Sequence, residues 1–389
     1  MRIGEPLALD VCDRLVCEGT YRPVRARDNP GGYSERAHSR VTGVWGRIDV
    51  DTVLCWERRT HMGSLLRTRI TGYIRSLCAH LRDRDKRGIL TAAFMGSRHT
   101  LSRQLSGWFQ DAGIFHLLAI SGLHVGIIAV FLLTLLRVIP VSIQLRYMVT
   151  IALLWGYVWF VGMIPSLFRA TVMATVLLGA GVAGRRTAGL NALGVAGTLW
   201  LFLSPCSIQA PGYQLSFSAT AGILILTPVF RTVREPCMHK GVLGRIAAMV
   251  VDTAAVSLAA FIATAPVLMV HFGRVSLLSL VSNLWAAMTM TGIMWFFFAG
   301  LGVYWAVPWA GIACVRGAGA LLTVLVHTAR YMTMLPGRAF FSGWLLQPVP
   351  VLCYILFFTG LGGVAARYRC RYVLWAAGVG LCVTPAVLL

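Results

Sequence analysis

Phe115–Phe131 reads FHLLAISGLHVGIIAVF. Most of it is apolar, and it lies inside a run long enough to cross a bilayer. Yet it carries His116, Ser121 and His124, with Gly122 and Gly126 in G-x-x-x-G spacing. In lipid, a pair of small residues at that spacing lets two helix backbones approach closely. Polar side chains at that depth are costly, so they face other protein or a water-filled cavity. At about 100° per residue, His116, Ser121 and His124 fall within an arc of about 140°. The stretch therefore predicts one helix with a polar face inward, a glycine face against a neighbour and an apolar face outward.

The surrounding chain has 389 residues, 57% hydrophobic and 13% charged. Several long apolar runs follow Asp111, which predicts an all-α polytopic membrane protein. MRIGEPLALDV at the N-terminus has no apolar core of the kind a secretory signal needs, so internal segments are expected to direct insertion. Residues 112–389 carry a net +14 and residues 1–110 a net +8. Of 35 basic residues, only Lys86 and Lys240 are lysines. The positive-inside rule and a GC-rich genome are the first explanation of such a balance, and a polyanionic substrate whose phosphates suit arginine forks is the sharper, second one. The ten cysteines are scattered without C-x-x-C or zinc spacing and read as small hydrophobes. Cys12 and Cys17 are close enough in sequence for a disulfide in an oxidising compartment.

In chain order, residues 1–60 read as part of a small β module. Leu7–Val16 and Val41–Val53 alternate in part, around the turn signal Asp28–Tyr33. Residues 61–110 hold a basic amphipathic helix over 64–84, with Leu66, Ile70, Ile74, Leu77 and Leu81 on one face, then a short connecting helix. Residues 111–389 hold about ten membrane segments, including broken or re-entrant ones: 114–136, 147–163, 167–184, 190–204, 213–230, 250–270, 276–306, 309–335, 350–366 and 372–388. The 276–306 run is long for one span and reads as a half-helix followed by a spanning helix. Connections 137–146, 185–189, 231–245 and 367–371 are richer in arginine and lysine than those between them, which places them in the cytoplasm and puts the N-terminal region and the C-terminus outside. The aromatic clusters Trp295–Phe298 and Tyr304–Trp309 read as interfacial belts before base-stacking platforms.

Four further polar groups open membrane segments. Pro165-Ser166-Leu167-Phe168-Arg169-Ala170 carries a helix-start signal and an arginine in the first turn. Asn191 opens the next segment. Pro211-Gly212-Tyr213-Gln214-Leu215-Ser216-Phe217 opens another, with Gln214 and Ser218 on one face. Phe272-Gly273-Arg274-Val275-Ser276 precedes a stretch with Asn283. Each has an ordinary structural explanation in capping, snorkelling or interhelical hydrogen bonding. Together they place polar groups where transporters break their helices.

Their combination and order resemble the ComEC competence-protein family, the inner-membrane channel of bacterial DNA uptake. HLLAISGLHV at 116–125 carries the resemblance most specifically. PSLFRA at 165–170, NAL at 191–193, PGYQLSF at 211–217 and FGRVSLLSLVSN at 272–283 follow in the family's order, and NPGG at 29–32 is similar to the tail of its OB-fold domain. The resemblance implies a path for single-stranded DNA into the cytoplasm, lined by His116, Ser121, His124, Ser166, Arg169, Asn191, Gln214, Ser218, Arg274 and Asn283, with Gly122 and Gly126 packing helices. It further implies the lipid bilayer and a separate DNA receptor, nuclease and cytoplasmic motor as partners. The chain departs from the family in its partial OB region, in Gly96-Ser97-Arg98 where Gly-Asp-Arg is usual, and in having no H-x-H-x-D-H motif of the nuclease domain. It is therefore expected to be a minimal channel, one part of a split system, or the product of gene decay.

Competing readings come from other classes. A carrier for a smaller anion suits the same charge. An intramembrane hydrolase would use Ser121 and His124, three residues apart on a helix, but no nucleophile elbow surrounds the serine and no acid in the segment orients the histidine. No G-x-x-x-x-G-K-[ST] loop is present, so energy must come from elsewhere. No catalytic residue, cofactor or metal is expected, since His116 and His124 stand about 12 Å apart along a helix.

Overall fold

The computed structural model describes residues 14–23, 46–57, 62–97, 101–234, 242–272, 274–334 and 340–341. It divides into two units, Met1–Ser76 and Leu77–Leu389.

In the first unit, β1 (Arg14–Pro23) pairs antiparallel with β2 (Gly46–Glu57), with register shifts between Val16 and Cys17 and between Glu18 and Gly19. The strands lie later than the partial alternation indicated, and the turn at 28–33 and the NPGG stretch fall outside the described residues. Val16, Tyr21, Ile48 and Leu54 are exposed, and among the described residues no second layer covers the two strands. Cys17 holds a free thiol, and Cys12 lies outside the described residues.

α1 (Met62–Ala79) covers most of the 64–84 stretch but ends before Leu81, and Leu66 is exposed rather than on a buried face. α2 (Arg84–Met95) is bounded by Asp83, which accepts from the Asp85 N–H at 2.9 Å, and by Gly96 at φ 72°. That left-handed position explains the glycine of the Gly-Ser-Arg stretch. Short as it is, α2 is a core element: Ile89, Leu90, Ala92, Ala93 and Phe94 are buried, and the Phe94 ring lies 4.1 Å from that of Phe297. α3 (Arg103–Asp111) starts at the Ser102 cap.

The membrane helices follow as α4 (Gly122–Leu136), α5 (Ile143–Val161), α6 (Pro165–Val182), α7 (Gly189–Leu203), α8 (Pro211–Arg234), α9 (Val242–Phe272), α10 (Leu278–Tyr304) and α11 (Pro308–Met332). Among the described residues five helices are long and apolar enough to span: α5, α6, residues 248–269 of α9, α10 and α11. α4 and α7, at 15 residues each, are shorter, about 22 Å against a hydrocarbon layer of about 30 Å. The chain is thus a helical membrane protein. Eight of the ten expected segments fall on described helices, and 350–366 and 372–388 lie outside the described residues.

Two segments differ from expectation. The 114–136 run is not one helix: Phe115–Leu118 form a 3-10 turn, Ala119–Ser121 are extended or coil, and α4 starts at Gly122. Conversely, 276–306 holds one continuous helix of 27 residues in place of a half-helix and a span. No proline interrupts α10, so nothing in its backbone forces a break.

Small residues set the close approaches. Gly222 of α8 meets Ala259 and Ala263 of α9, and Gly311 of α11 meets Tyr304 of α10. Between α6, α7 and α8 the core is aromatic: Phe168, Val172, Ala196 and Trp200 pack with Tyr213 and Phe217. β3 (Arg274–Val275) pairs with β4 (Phe340–Phe341).

Candidate functional site

The family-like stretches meet at one end of the helical unit, and hydrogen bonds to main-chain carbonyls join them. The break before α4 leaves the Ile120 carbonyl without a helical donor, and Ser166 Oγ in the first turn of α6 donates to it at 2.7 Å. Gly122, the first residue of α4, faces Arg169: a methyl group there would sit 2.6 Å from Nη2 and 3.7 Å from the Ala170 Cβ. Only a glycine leaves room for the guanidinium.

Arg169 is buried, at 6% exposure. Its Nη1 donates to the Ser216 carbonyl of α8, and its guanidinium carbon lies 5.7 Å from the Phe217 ring centre. Its Nε has no partner, nor has the buried Ser216 Oγ. One turn back, Gln214 Nε2 donates to the Ile208 carbonyl at 2.9 Å, and Gln214 Oε1 lies 2.7 Å from Nε2 of His271 near the end of α9. Ser276 Oγ donates to the Asp111 carbonyl at 3.1 Å, and buried Ser282 Oγ to the Ala112 carbonyl at 2.6 Å. Gly113, at φ 73°, closes this contact, since a side chain would strike Ser279.

The two histidines differ. His116 is exposed in the 3-10 turn. His124 is fully buried, and its Nδ1 accepts the Ser121 backbone N–H at 3.3 Å and lies 2.9 Å from Ser121 Oγ. A nitrogen that accepts from an N–H carries no proton, so the imidazole is the neutral Nε2–H tautomer. His124 takes the place of Glu or Gln in a capping box around the Ser121 N-cap. Its Nε2 is buried without a partner, so no carboxylate orients the ring as an acyl-transfer triad requires. The polar arc of a continuous helix is therefore replaced by a cap within α4 and a separate turn before it.

The other expected residues divide. Gly126 packs against nothing within 4 Å and is exposed, so only Gly122 of the glycine pair serves close approach. Asn191 is exposed near the start of α7, about 13 Å along that helix from Trp200, which packs against Phe168. It stands toward the other end of the unit and does not join the network. Ser218 is half-buried one turn beyond Gln214, and Asn283 is half-buried beside Ser282. Arg274 lies in β3, where its backbone pairs with Phe341. His271 and Ser282 entered no candidate list from sequence, although a histidine ending an apolar run and a serine in a family-like stretch were visible. Among the described residues no three His, Cys, Asp or Glu side chains come together to hold a metal ion.

Comparison with known proteins fits this arrangement. The family model described as Competence protein matches residues 94–366, more than half of the chain. ComE operon protein 3 of Bacillus subtilis (strain 168) is 28% identical over 200 residues, covering 51% of this chain and 24% of that protein. Uncharacterized protein YcaI of Escherichia coli (strain K12) is 25% identical over 304 residues, covering 75% of this chain and 38% of that protein. An uncharacterized protein of Aquifex aeolicus (strain VF5) is 30% identical over 155 residues, covering 39% and 36%. The chain thus spans about a quarter to two fifths of the length of these relatives. No solved structure matches it. The match over residues 94–366 takes in every stretch that meets at the junction, and the chain belongs to the competence protein family.

Proposed function

We propose that this chain forms part of the path by which single-stranded DNA crosses the bacterial cytoplasmic membrane during natural transformation. The observation that carries the reading is the meeting of four family-like stretches at one end of the bundle, inside the family match. A buried arginine with an unpartnered Nε, and a net +14 over residues 112–389, suit a phosphate-bearing strand. Contacts of this kind tolerate any base sequence. The strand would be supplied by a separate receptor and nuclease and drawn in by a cytoplasmic motor, and the two-stranded ribbon would be a fragment of an OB-fold.

In a transformable host, a clean deletion is expected to block entry of external DNA into the cytoplasm while surface binding continues. Uptake of protected DNA at normal rates would refute the reading. Kilobase-length DNA as the probe also separates a channel from a carrier of small anions. The loop charges support an orientation with the N-terminal region and the C-terminus outside the cytoplasm, which is part of the proposal. An impermeant thiol reagent should then label Cys55, but not Cys237 or Cys370, in intact cells. Labelling of the latter pair would reverse the orientation.

A further inference from the structure

A second polar cluster lies away from the junction. A cavity of about 480 Å³ opens between the α1–α2 turn and the first half of α11. Arg82, Asp83 and Lys86 line one wall, and Arg316 and Thr323 the other. The turn is fixed against the membrane helices: Leu81 packs on Gly319, and the His80 ring lies 5.7 Å from that of Tyr304 at the end of α10. Three cations thus face one carboxylate. Asp83 is already engaged, with Lys86 at 3.8 Å and as the cap of α2. Among the described residues Arg82 and Arg316 have no ion-pair partner.

Arg316 is exposed within a helix long and apolar enough to span. A cation there needs water or an anion. Two further features say which anion. Trp305 and Trp309, at 85% and 76% exposure, mark the α10–α11 turn as an interfacial belt. Arg316 stands seven residues along α11 from Trp309, about 10 Å. Helical side chains tilt toward the helix N-terminus, so the guanidinium leans back toward that belt, where headgroup phosphates lie. A groove for a nucleic-acid strand would instead carry stacking rings, and the only ring lining this cavity is the imidazole of His80.

We propose that this cavity binds the headgroup phosphate of an anionic phospholipid, held by Arg316, Lys86 and Arg82. The site stands independently of the DNA-path reading. The full chain, purified in neutral detergent, should retain phosphatidylglycerol over phosphatidylcholine in native mass spectrometry. Arg316→Gln should lower that retention about fivefold, and the Arg316→Gln/Lys86→Gln pair about 25-fold. Arg316→Lys, which keeps the charge, should retain most of it, and exposed Arg82→Gln gives a second single variant should the pair fail to fold. Equal retention of the two lipids by the wild-type chain, or undiminished phosphatidylglycerol on folded Gln variants, would overturn the site. Displacement of the lipid by a short single-stranded oligonucleotide at equal concentration would overturn the lipid assignment in favour of a nucleic-acid phosphate.

Discussion

The two glycines of the G-x-x-x-G pair should answer differently to the same small change. At Gly122 an added methyl would sit 2.6 Å from Arg169 Nη2, too close to be tolerated. The guanidinium is the flexible partner, so it would swing away from the Ser216 carbonyl and from the Phe217 ring. A hydrogen bond from a charged group contributes about 1.5–3 kcal/mol, and a cation over a ring about 0.5–1 kcal/mol. Alanine for glycine in a helix returns about 0.5–1 kcal/mol. Gly122→Ala should therefore destabilise by about 1–3 kcal/mol. Gly126 has no atom within 4 Å of the same position, so Gly126→Ala should stabilise by about 0.5–1 kcal/mol. Thermal unfolding of the detergent-solubilised chain, with membrane abundance of each variant, measures both. In an Arg169→Met background the obstacle is gone, and Gly122→Ala should then stabilise by about 0.5–1 kcal/mol, a coupling of about 2–4 kcal/mol. Equal behaviour of the two glycines, or additive effects of Gly122→Ala and Arg169→Met, would refute the contact.

Three further outcomes are expected. Ser282→Ala removes a buried donor to the Ala112 carbonyl and should cost about 1–3 kcal/mol, read as a lower melting temperature; an unchanged one would show that the carbonyl has another donor. His124→Ala removes the acceptor of the Ser121 N–H and should destabilise by about 0.5–2 kcal/mol; unchanged melting with lost DNA uptake would show that the imidazole acts on the strand instead of capping α4. Burial pushes the Cys78 thiol up to about 12, against a smaller opposing pull from Arg87, so at pH 8 almost none of it is thiolate. Cys55 and Cys206, both exposed, should then react with maleimide well before Cys78, and equal rates would contradict its burial.

Much of the architecture was readable because hydropathy is local. Runs of apolar residues located eight described helices, six of them to within about four residues at each end, while α4 starts eight residues later and α9 eight residues earlier than expected; Pro165 and Pro308 stand at first helical positions as their fixed φ favours. The break at Ala119–Ser121 was not readable. Most residues around it are apolar and continue a helical run, and no proline stands there. What stabilises the break is a donor from elsewhere, Ser166, which satisfies the Ile120 carbonyl. Length misled in the opposite sense at α10, which stays one helix because nothing in its sequence or its contacts breaks it.

For the candidate site, residue type alone identified Ser166, Arg169 and Gln214, whose polarity is conspicuous in an apolar run. It also proposed Gly126 and Asn191, which face open space, and passed over His271. Composition and periodicity determine which segments leave water and roughly where each begins, because those depend on transfer free energy residue by residue. Which polar groups meet depends on how closely two backbones approach, and on partners far apart in the chain, such as Arg169 with Ser216 and Gln214 with His271. Those pairings follow from helix packing, and only the tertiary structure decided them.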